Sequence, residues 1–104
     1  MKTRKRALNR SKMFNYDLSD GLEREMGNLL KKDRKTLIML GKKINEVASR
    51  DSSTIDFYKN LNAPLNEYKR VHVSHFVLLF KVYKERNFIF FKSFCHHDEA
   101  YWRK

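Results

Sequence analysis

Residues Leu65–Tyr101 read LNEYKRVHVSHFVLLFKVYKERNFIFFKSFCHHDEAY and contain most of the chain's valine and aromatic residues. Such side chains fit the pleated surface of a β-sheet. A polar turn, Lys84-Glu85-Arg86-Asn87, interrupts the apolar run, and the stretch ends in histidines, acids and a tyrosine. It therefore predicts three short strands in an antiparallel meander.

The alternation of side chains along a strand assigns two faces to this sheet. One face of the middle strand is wholly apolar, with Phe76, Leu78, Phe80 and Val82, and should pack against helices. The last strand has phenylalanines in both phases. We place Lys92 on the other, outer face because an unpaired buried lysine is costly. The outer face should then carry cationic and imidazole side chains, with two residues at its C-terminal rim: Arg70, His72, His75, Lys81, Lys92, His96, then His97 and Tyr101.

The N-terminal half predicts an edge strand and two helices. Met13–Leu18 alternates weakly between apolar and polar residues, and Ser19 or Asp20 can cap the helix that follows. Apolar stripes at helical spacing then mark two helices, the second over 34–48. The stripe residues are Leu22, Met26, Leu29 and Leu30 in the first helix, and Leu37, Ile38, Met39, Leu40, Ile44 and Val47 in the second.

These elements define an α+β fold. A short N-terminal strand is followed by an antiparallel helical hairpin and then the three-stranded antiparallel meander, with the helices packed on one face of the sheet. A polar loop (residues 49–54) and an irregular segment around Pro64 connect helices and sheet. The 104 residues suffice for one core. We expect a single domain over residues 13–104, preceded by a basic, flexible arm of residues 1–12 with six cations and no acid.

The net charge of +11 indicates a polyanionic partner. No apolar run reaches the roughly 18 residues of a membrane helix, so no membrane partner is expected. The single cysteine, Cys95, fits a reducing cytoplasm. On the outer face, cations can meet phosphates and rings can stack on exposed bases, which favours RNA. An ordinary solvated face is the alternative for each single lysine or arginine.

Three segments resemble the RelE/ParE superfamily of toxins from toxin–antitoxin pairs. Residues 58–65 (YKNLNAPL) are similar to the segment that leads into the family's second strand. Residues 68–73 (YKRVHV) resemble the basic strand that follows. Residues 96–101 (HHDEAY) resemble the family's C-terminal ending. The resemblance covers about residues 13–101 and implies the RelE-like fold.

The RelE branch consists of ribosome-dependent messenger-RNA endonucleases, and the resemblance implies a metal-free reaction in which the RNA 2′-hydroxyl attacks the adjacent phosphate. A base, an acid and phosphate-binding cations are needed. By the resemblance, Arg70 would clamp the phosphate, since guanidinium donors match phosphate oxygens in pairs. The acid, the base and their helpers would come from His72, His96, His97 and Tyr101. RNA-binding cations would be Lys69, His75, Lys81 and Lys92.

The resemblance also implies a cognate antitoxin, held in a hetero-oligomer, with the ribosome and its messenger as further partners. One departure concerns Val77, which stands where many RelE-like nucleases have an arginine. Lys81 or His75 would have to supply that cation. The ParE branch, which shares the fold and inhibits DNA gyrase, therefore stays open.

Two other readings compete with the nuclease. His96-His97-Asp98-Glu99 with Cys95 suggests a metal site, yet adjacent residues chelate one ion poorly and the sequence has no second cluster. No metal or other cofactor is therefore predicted. A non-catalytic RNA-binding module would use the same basic face and would not need His96, His97 and Tyr101.

Overall fold

Four strands and two α-helices make up the described part of the chain. The structure is a computed structural model that describes residues 14–96. The elements, in chain order, are β1 (Asn15–Leu18), α1 (Asp20–Lys32), α2 (Arg34–Ala48), a 3-10 turn (Ile55–Phe57), β2 (Lys69–Val73), β3 (Phe76–Tyr83), a 3-10 turn (Lys84–Arg86) and β4 (Phe88–His96). The predicted arm, residues 1–12, lies outside the described residues.

The strands form one sheet in the order β1-β4-β3-β2. β2, β3 and β4 are antiparallel neighbours, so the predicted meander is confirmed. β1 is an edge strand, as predicted, and pairs parallel with β4 from Asn15 opposite Phe88 to Leu18 opposite Phe91. A parallel pair needs a long crossover connection, which the helices and the other strands supply here.

Both helices begin at capping side chains. Ser19 Oγ accepts a hydrogen bond of 3.0 Å from the Leu22 N–H at the start of α1. Asp33 ends α1 and caps α2, because its carboxylate accepts from the Thr36 N–H at 3.1 Å and from the Thr36 hydroxyl at 2.7 Å. These hydrogen bonds favour the ionised carboxylate and hold the pKa of Asp33 below its usual value. One residue thus separates the helices.

The helices pack on one face of the sheet, as predicted, and form the main core with it. This core joins Leu22 and Leu29 of α1, and Leu40, Ile44 and Val47 of α2, to strand residues such as Phe80 and Phe91. We call this side of the sheet the helix side and the opposite side the outer face. Within residues 14–96 no helix has the length and apolar character needed to cross a membrane.

The predicted apolar stripes were too wide. Leu30, Ile38 and Met39 are 50%, 59% and 38% exposed. Successive helical residues are rotated by about 100°, so Leu30 points well away from the buried Leu29. Ile38 and Met39 likewise leave the line of Leu40, Ile44 and Val47. Each helix buries a single stripe against this small sheet.

A second apolar cluster lies on the outer face. Leu61, Leu65 and Tyr68, from the segment between the 3-10 turn and β2, pack with Val77 and Leu79 of β3. Leu61 N–H donates to the Tyr68 carbonyl at 3.0 Å, which closes this segment over the strands. Part of the outer face is therefore covered by the chain itself, whereas alternation alone predicts an open surface there.

Candidate nucleic-acid interface

Arg70 and His72 lie next to each other along the outer face of β2. Their neighbours Val71 and Val73 pack toward the main core, so alternation turns Arg70 and His72 away from the helices. Arg70 stands opposite Leu79, and His72 opposite Val77. Arg70 is half-buried and His72 is exposed. The two side chains therefore begin about 7 Å apart on one face.

The two cross-strand rows that contain Arg70 and His72 continue from β3 onto β4. Ser93 stands opposite Leu79, and Cys95 stands opposite Val77. The row of Arg70 thus runs through Leu79 to Ser93, and the row of His72 through Val77 to Cys95. Both rows lie near the end of the sheet where β2 finishes, β3 starts and β4 finishes.

A β-bulge at Lys92 sends His96 to the other side of the sheet. Phe80 pairs with Phe91 and Leu79 with Ser93, so Lys92 is an extra residue in β4. An extra residue shifts the alternation of everything after it. Phe94 and His96 consequently share the helix side with Phe76. The Phe76 ring stacks on Phe94 with centroids 4.8 Å apart and lies 5.5 Å from the His96 ring.

The expectation that His96 shares the outer face with Arg70 is therefore wrong. It rested on unbroken alternation from Lys92 to His96, and the bulge breaks that alternation. Ser93 and Cys95 take the outer positions instead. Of the paired histidines of the sequence, His96 has its ring against Phe76, on the side opposite Arg70 and His72.

His75 lies in the tight turn between β2 and β3, after Ser74, whose φ of 61° is in the left-handed region. A short hairpin connection commonly needs one such residue. His75 is exposed at the end of the sheet that also holds His72 and His96. Three histidines therefore share one end of the sheet, and His72 and His96 lie on opposite faces of it.

The lysines predicted to bind RNA have three different environments. Lys92 is exposed at the bulge, and Ser19 Oγ donates to its carbonyl at 2.7 Å. Lys81 lies on the outer face, where its ammonium is 3.2 Å from Glu67 Oε1. The hydrogen bond to Glu67 raises the pKa of Lys81, because a nearby carboxylate favours the charged amine.

Lys69, by contrast, is 7% exposed and its ammonium is used inside the fold. It donates to the Tyr58 carbonyl at 3.0 Å and to Asn60 Oδ1 at 2.9 Å, and it lies 3.3 Å from Asp56 Oδ1. Lys69 points to the helix side because it alternates with the outward Arg70. Its contacts tie the segment before β2 to the sheet and leave it poorly placed to meet RNA.

Val77 is fully buried beneath Leu61 and its neighbours. Lys81 is four residues further along β3, about 13 Å away, and is paired with Glu67. His75 lies in the turn. Lys81 therefore does not supply a cation at the position of Val77, whereas Arg70 stands in the row next to it.

Two of the predicted site residues, His97 and Tyr101, fall outside the described residues. Among residues 14–96, no group of three or more histidine, cysteine, aspartate or glutamate side chains is arranged to hold a metal ion.

Comparison with known proteins places the chain in a family. No family model matches it. A protein of Methanocaldococcus jannaschii named as a candidate toxin, RelE4, is 36% identical over 93 residues, which are 88% of this chain and 95% of that relative. The chain belongs to the RelE family of toxins. The resemblance found in the sequence is thereby confirmed.

Solved structures of RelE-like toxins show the same fold at low sequence identity. The toxin–antitoxin complex RelBE2 from Mycobacterium tuberculosis gives a TM-score of 0.59 at 16% identity, covering 82% of this chain and 99% of the other. The DinJ–YafQ complex from E. coli gives 0.54 at 17% identity, covering 88% and 99%. These structures support the RelE-like order of strands and helices.

Sequence reasoning missed two features of this face of the sheet. It did not place Leu61, Leu65 and Tyr68 over the outer face, although Val77 and Leu79 in an outward phase required some cover. It also left Phe88 and Phe90 unassigned. The sequence did contain a sign of this second feature, since phenylalanines occur in both phases of β4. Ile89 and Phe91 are buried in the core, so Phe88 and Phe90 point outward.

Proposed function

We propose that this toxin is a metal-independent endoribonuclease that cuts messenger RNA on the ribosome. The observation that carries the proposal is the placement of Arg70 and His72 in adjacent rows of one sheet face. A guanidinium can grip two phosphate oxygens, and an imidazole beside it can move a proton near neutral pH. The net charge of +11 favours approach to RNA.

In the proposed reaction the ribose 2′-oxygen attacks the adjacent phosphorus, and the bond from phosphorus to the 5′-oxygen breaks. The base takes the 2′-hydroxyl proton and the acid gives a proton to the leaving 5′-oxygen. The products are a 2′,3′-cyclic phosphate and a 5′-hydroxyl. Arg70 would stabilise the charge that develops on the phosphate. His72 would be one proton carrier, and His97 or Tyr101 the other by the family resemblance.

A cognate antitoxin is part of this proposal. RelBE2 is a toxin–antitoxin complex, and YafQ was solved in complex with DinJ. A basic toxin surface suits an acidic partner segment that orders on binding. We infer a hetero-oligomer in which the antitoxin keeps the toxin inactive.

Induced expression tests the proposal. Wild-type protein should stop growth and fragment messenger RNA, and the new 5′ ends should carry hydroxyls. Arg70→Ala should abolish both effects, while Lys42→Ala, an exposed change on α2, should keep them. Intact messenger with accumulating DNA damage would favour the gyrase-inhibiting ParE activity. RNA that is bound and never cut would favour the non-catalytic module.

A further inference from the structure

Two phenylalanines of β4 lie on the same outer face as Arg70 and His72. Ile89 and Phe91 are fully buried on the helix side, so alternation turns Phe88 and Phe90 outward. Both rings are half-buried, and neither belongs to an apolar core cluster formed within residues 14–96. We call Phe88 and Phe90 the aromatic strip. They begin a line of half-buried side chains that continues through Ser93 to Cys95.

Two cations lie against the tyrosine that faces the strip. Tyr83 stands opposite Phe88, with ring centroids 6.0 Å apart. Lys81 Nζ lies 5.0 Å and Arg86 Cζ 5.1 Å from the centroid of the Tyr83 ring. Lys81 also stands opposite Phe90. A positive group held against an aromatic ring next to a second ring is an arrangement that suits a base and its phosphate.

Acidic groups are present too. Asp17 of β1 stands opposite Phe90, and Glu67 lies 3.2 Å from Lys81. These acids therefore balance part of the positive charge beside the strip. Arg86 precedes the strip in the chain and Lys92 follows it, and both are exposed. Rings rather than charges should supply most of the recognition here.

The strip on β4 and the proposed catalytic residues on β2 lie on one face of the sheet, with β3 between them. Along β3 the row of Lys81 lies about 13 Å, and the row of Tyr83 about 20 Å, from the row of His72. Between the row of Lys81 and the row of His72, β4 presents the small side chain of Ser93. On the β2 side, Leu61, Leu65 and Tyr68 cover Val77 and Leu79 and form a border. A strand that follows β4 would reach Arg70 and His72 around this border, at the end of the sheet where β2 and β4 finish.

We propose that Phe88 and Phe90 stack on unpaired bases of the single-stranded RNA that is cut beside Arg70 and His72. This inference rests on the proposed function and adds a second contact region to it. Aromatic rings accept any base on their faces, so the strip positions the strand with little sequence preference. The catalytic end would then receive a strand that is already held several nucleotides away.

Binding of an uncleavable RNA tests the strip in the full-length protein. The probe is a short oligonucleotide of 2′-O-methyl adenosines, which lacks the attacking hydroxyl. The double variant Phe88→Leu/Phe90→Leu keeps apolar side chains and removes the rings. Its affinity should fall by at least about 5-fold to 150-fold, which is the usual loss for a single stacked base, because two rings are removed. Phe57→Leu, a change at a 69% exposed ring outside the sheet, is the matched control and should bind as wild type.

An abasic oligonucleotide of the same length separates stacking from charge. It should bind wild type more weakly than the adenosine probe does, and it should bind the double variant and wild type equally. Equal affinity of wild type and double variant for the adenosine probe would overturn the inference. Loss of antitoxin affinity with unchanged RNA affinity would overturn it as well, since the strip would then be a protein-binding surface.

Messenger cleavage in cells distinguishes failure of the strip from failure of the nuclease. Wild type that cuts messenger, with a double variant that binds RNA as tightly as wild type, would overturn the strip alone. A wild type that binds RNA more tightly than the double variant does, and that leaves messenger intact, would overturn the proposed nuclease activity. That result would support the strip as an RNA-binding surface. The melting temperature of each variant is measured as well, so that RNA affinities are compared only between proteins that are folded at the temperature of the assay.

Discussion

His96 faces Phe76 across the β3–β4 ladder, with ring centroids 5.5 Å apart, on the side of the sheet that packs against the helices. The bulge at Lys92 causes this placement. His96 is thereby separated from Arg70 and His72 by the thickness of the sheet. The first histidine of the segment that resembles the family's C-terminal ending is thus placed away from the proposed reaction site.

His72→Gln should therefore reduce RNA cleavage far more than His96→Gln. Loss of a general acid or base typically costs about 10²-fold to 10⁴-fold in rate, and His72 shares its face with Arg70. His96→Gln should cleave at the wild-type rate. Messenger cleavage at equal amounts of soluble protein measures both. Inactivity of His96→Gln with an unchanged melting temperature would contradict the assignment of sides.

Lys69→Met should destabilise the protein without weakening RNA binding. The ammonium of Lys69 has three partners, the Tyr58 carbonyl, Asn60 and Asp56, within 3.3 Å. Leaving buried acceptors without a donor costs about 1–3 kcal/mol each before relaxation, and a total of about 1–3 kcal/mol is expected because Asp56 is largely exposed. Urea unfolding measures this loss.

The control for Lys69 is Lys59→Met, an exposed lysine in the preceding segment. It should change the free energy of unfolding by less than about 0.5 kcal/mol. RNA affinity of Lys69→Met is then measured well below its melting temperature. A drop in affinity in the folded variant would return Lys69 to the RNA-binding set.

Most of the fold could be read from the sequence because its signals are local. The cap at Ser19, the stripe of Leu40, Ile44 and Val47, and the polar turn at 84–87 each follow from side chains within a few positions. The bulge could not be read in this way. It depends on how Leu79 and Phe80 pair with a strand more than ten residues away, and a local pattern does not record that register.

The candidate site was correspondingly harder to predict than the fold. Arg70 and His72 fell on the predicted face because β2 is short and its alternation is unbroken. His96 lies beyond the bulge and was misplaced. Lys69 was predicted to bind RNA because of its charge. In the structure its side chain points to the helix side of β2, and its ammonium pairs with Asp56.

Stability should fall in acid partly through Glu46. Tyr58 Oη donates to Glu46 Oε2 at 2.6 Å, and Lys43 Nζ lies 3.0 Å from Oε1. The bond from Tyr58, followed by that from Lys43, lowers the pKa of Glu46 below its usual 4.5. As the pH falls through 4.5, the Glu46 carboxylate is protonated in the unfolded chain before it is protonated in the folded protein. The stabilisation is therefore complete above that pH and is lost as the pH drops toward the folded pKa.

Tyr58→Phe removes the largest cause of the shift, so its stability should depend less steeply on pH in that acidic range. Urea unfolding at several pH values between about 6 and 3 measures the slope. Glu46→Gln should show a similarly reduced slope, and the double variant should show no further reduction. A slope of Tyr58→Phe equal to that of wild type would contradict the coupling.

Ser19→Ala should loosen both the start of α1 and its attachment to β4. Ser19 Oγ accepts from the Leu22 N–H at 3.0 Å and donates to the Lys92 carbonyl at 2.7 Å. Loss of a serine cap costs about 0.5–2 kcal/mol. Hydrogen exchange at the Leu22 amide should become faster. Ser52→Ala, an exposed change in the loop after α2, is the control and should leave this exchange rate unchanged.

Leu40 and Ile38 of α2 should respond oppositely to truncation, although both belong to the apolar stripe that the sequence suggests. Leu40 is fully buried in the main core, and Leu40→Ala should cost about 2–5 kcal/mol because a cavity replaces the side chain. Ile38 is 59% exposed. Ile38→Ala should be neutral or slightly stabilising, since alanine is the better helix former. Urea unfolding compares the two, and a large loss in Ile38→Ala alone would show that α2 is rotated relative to the sheet.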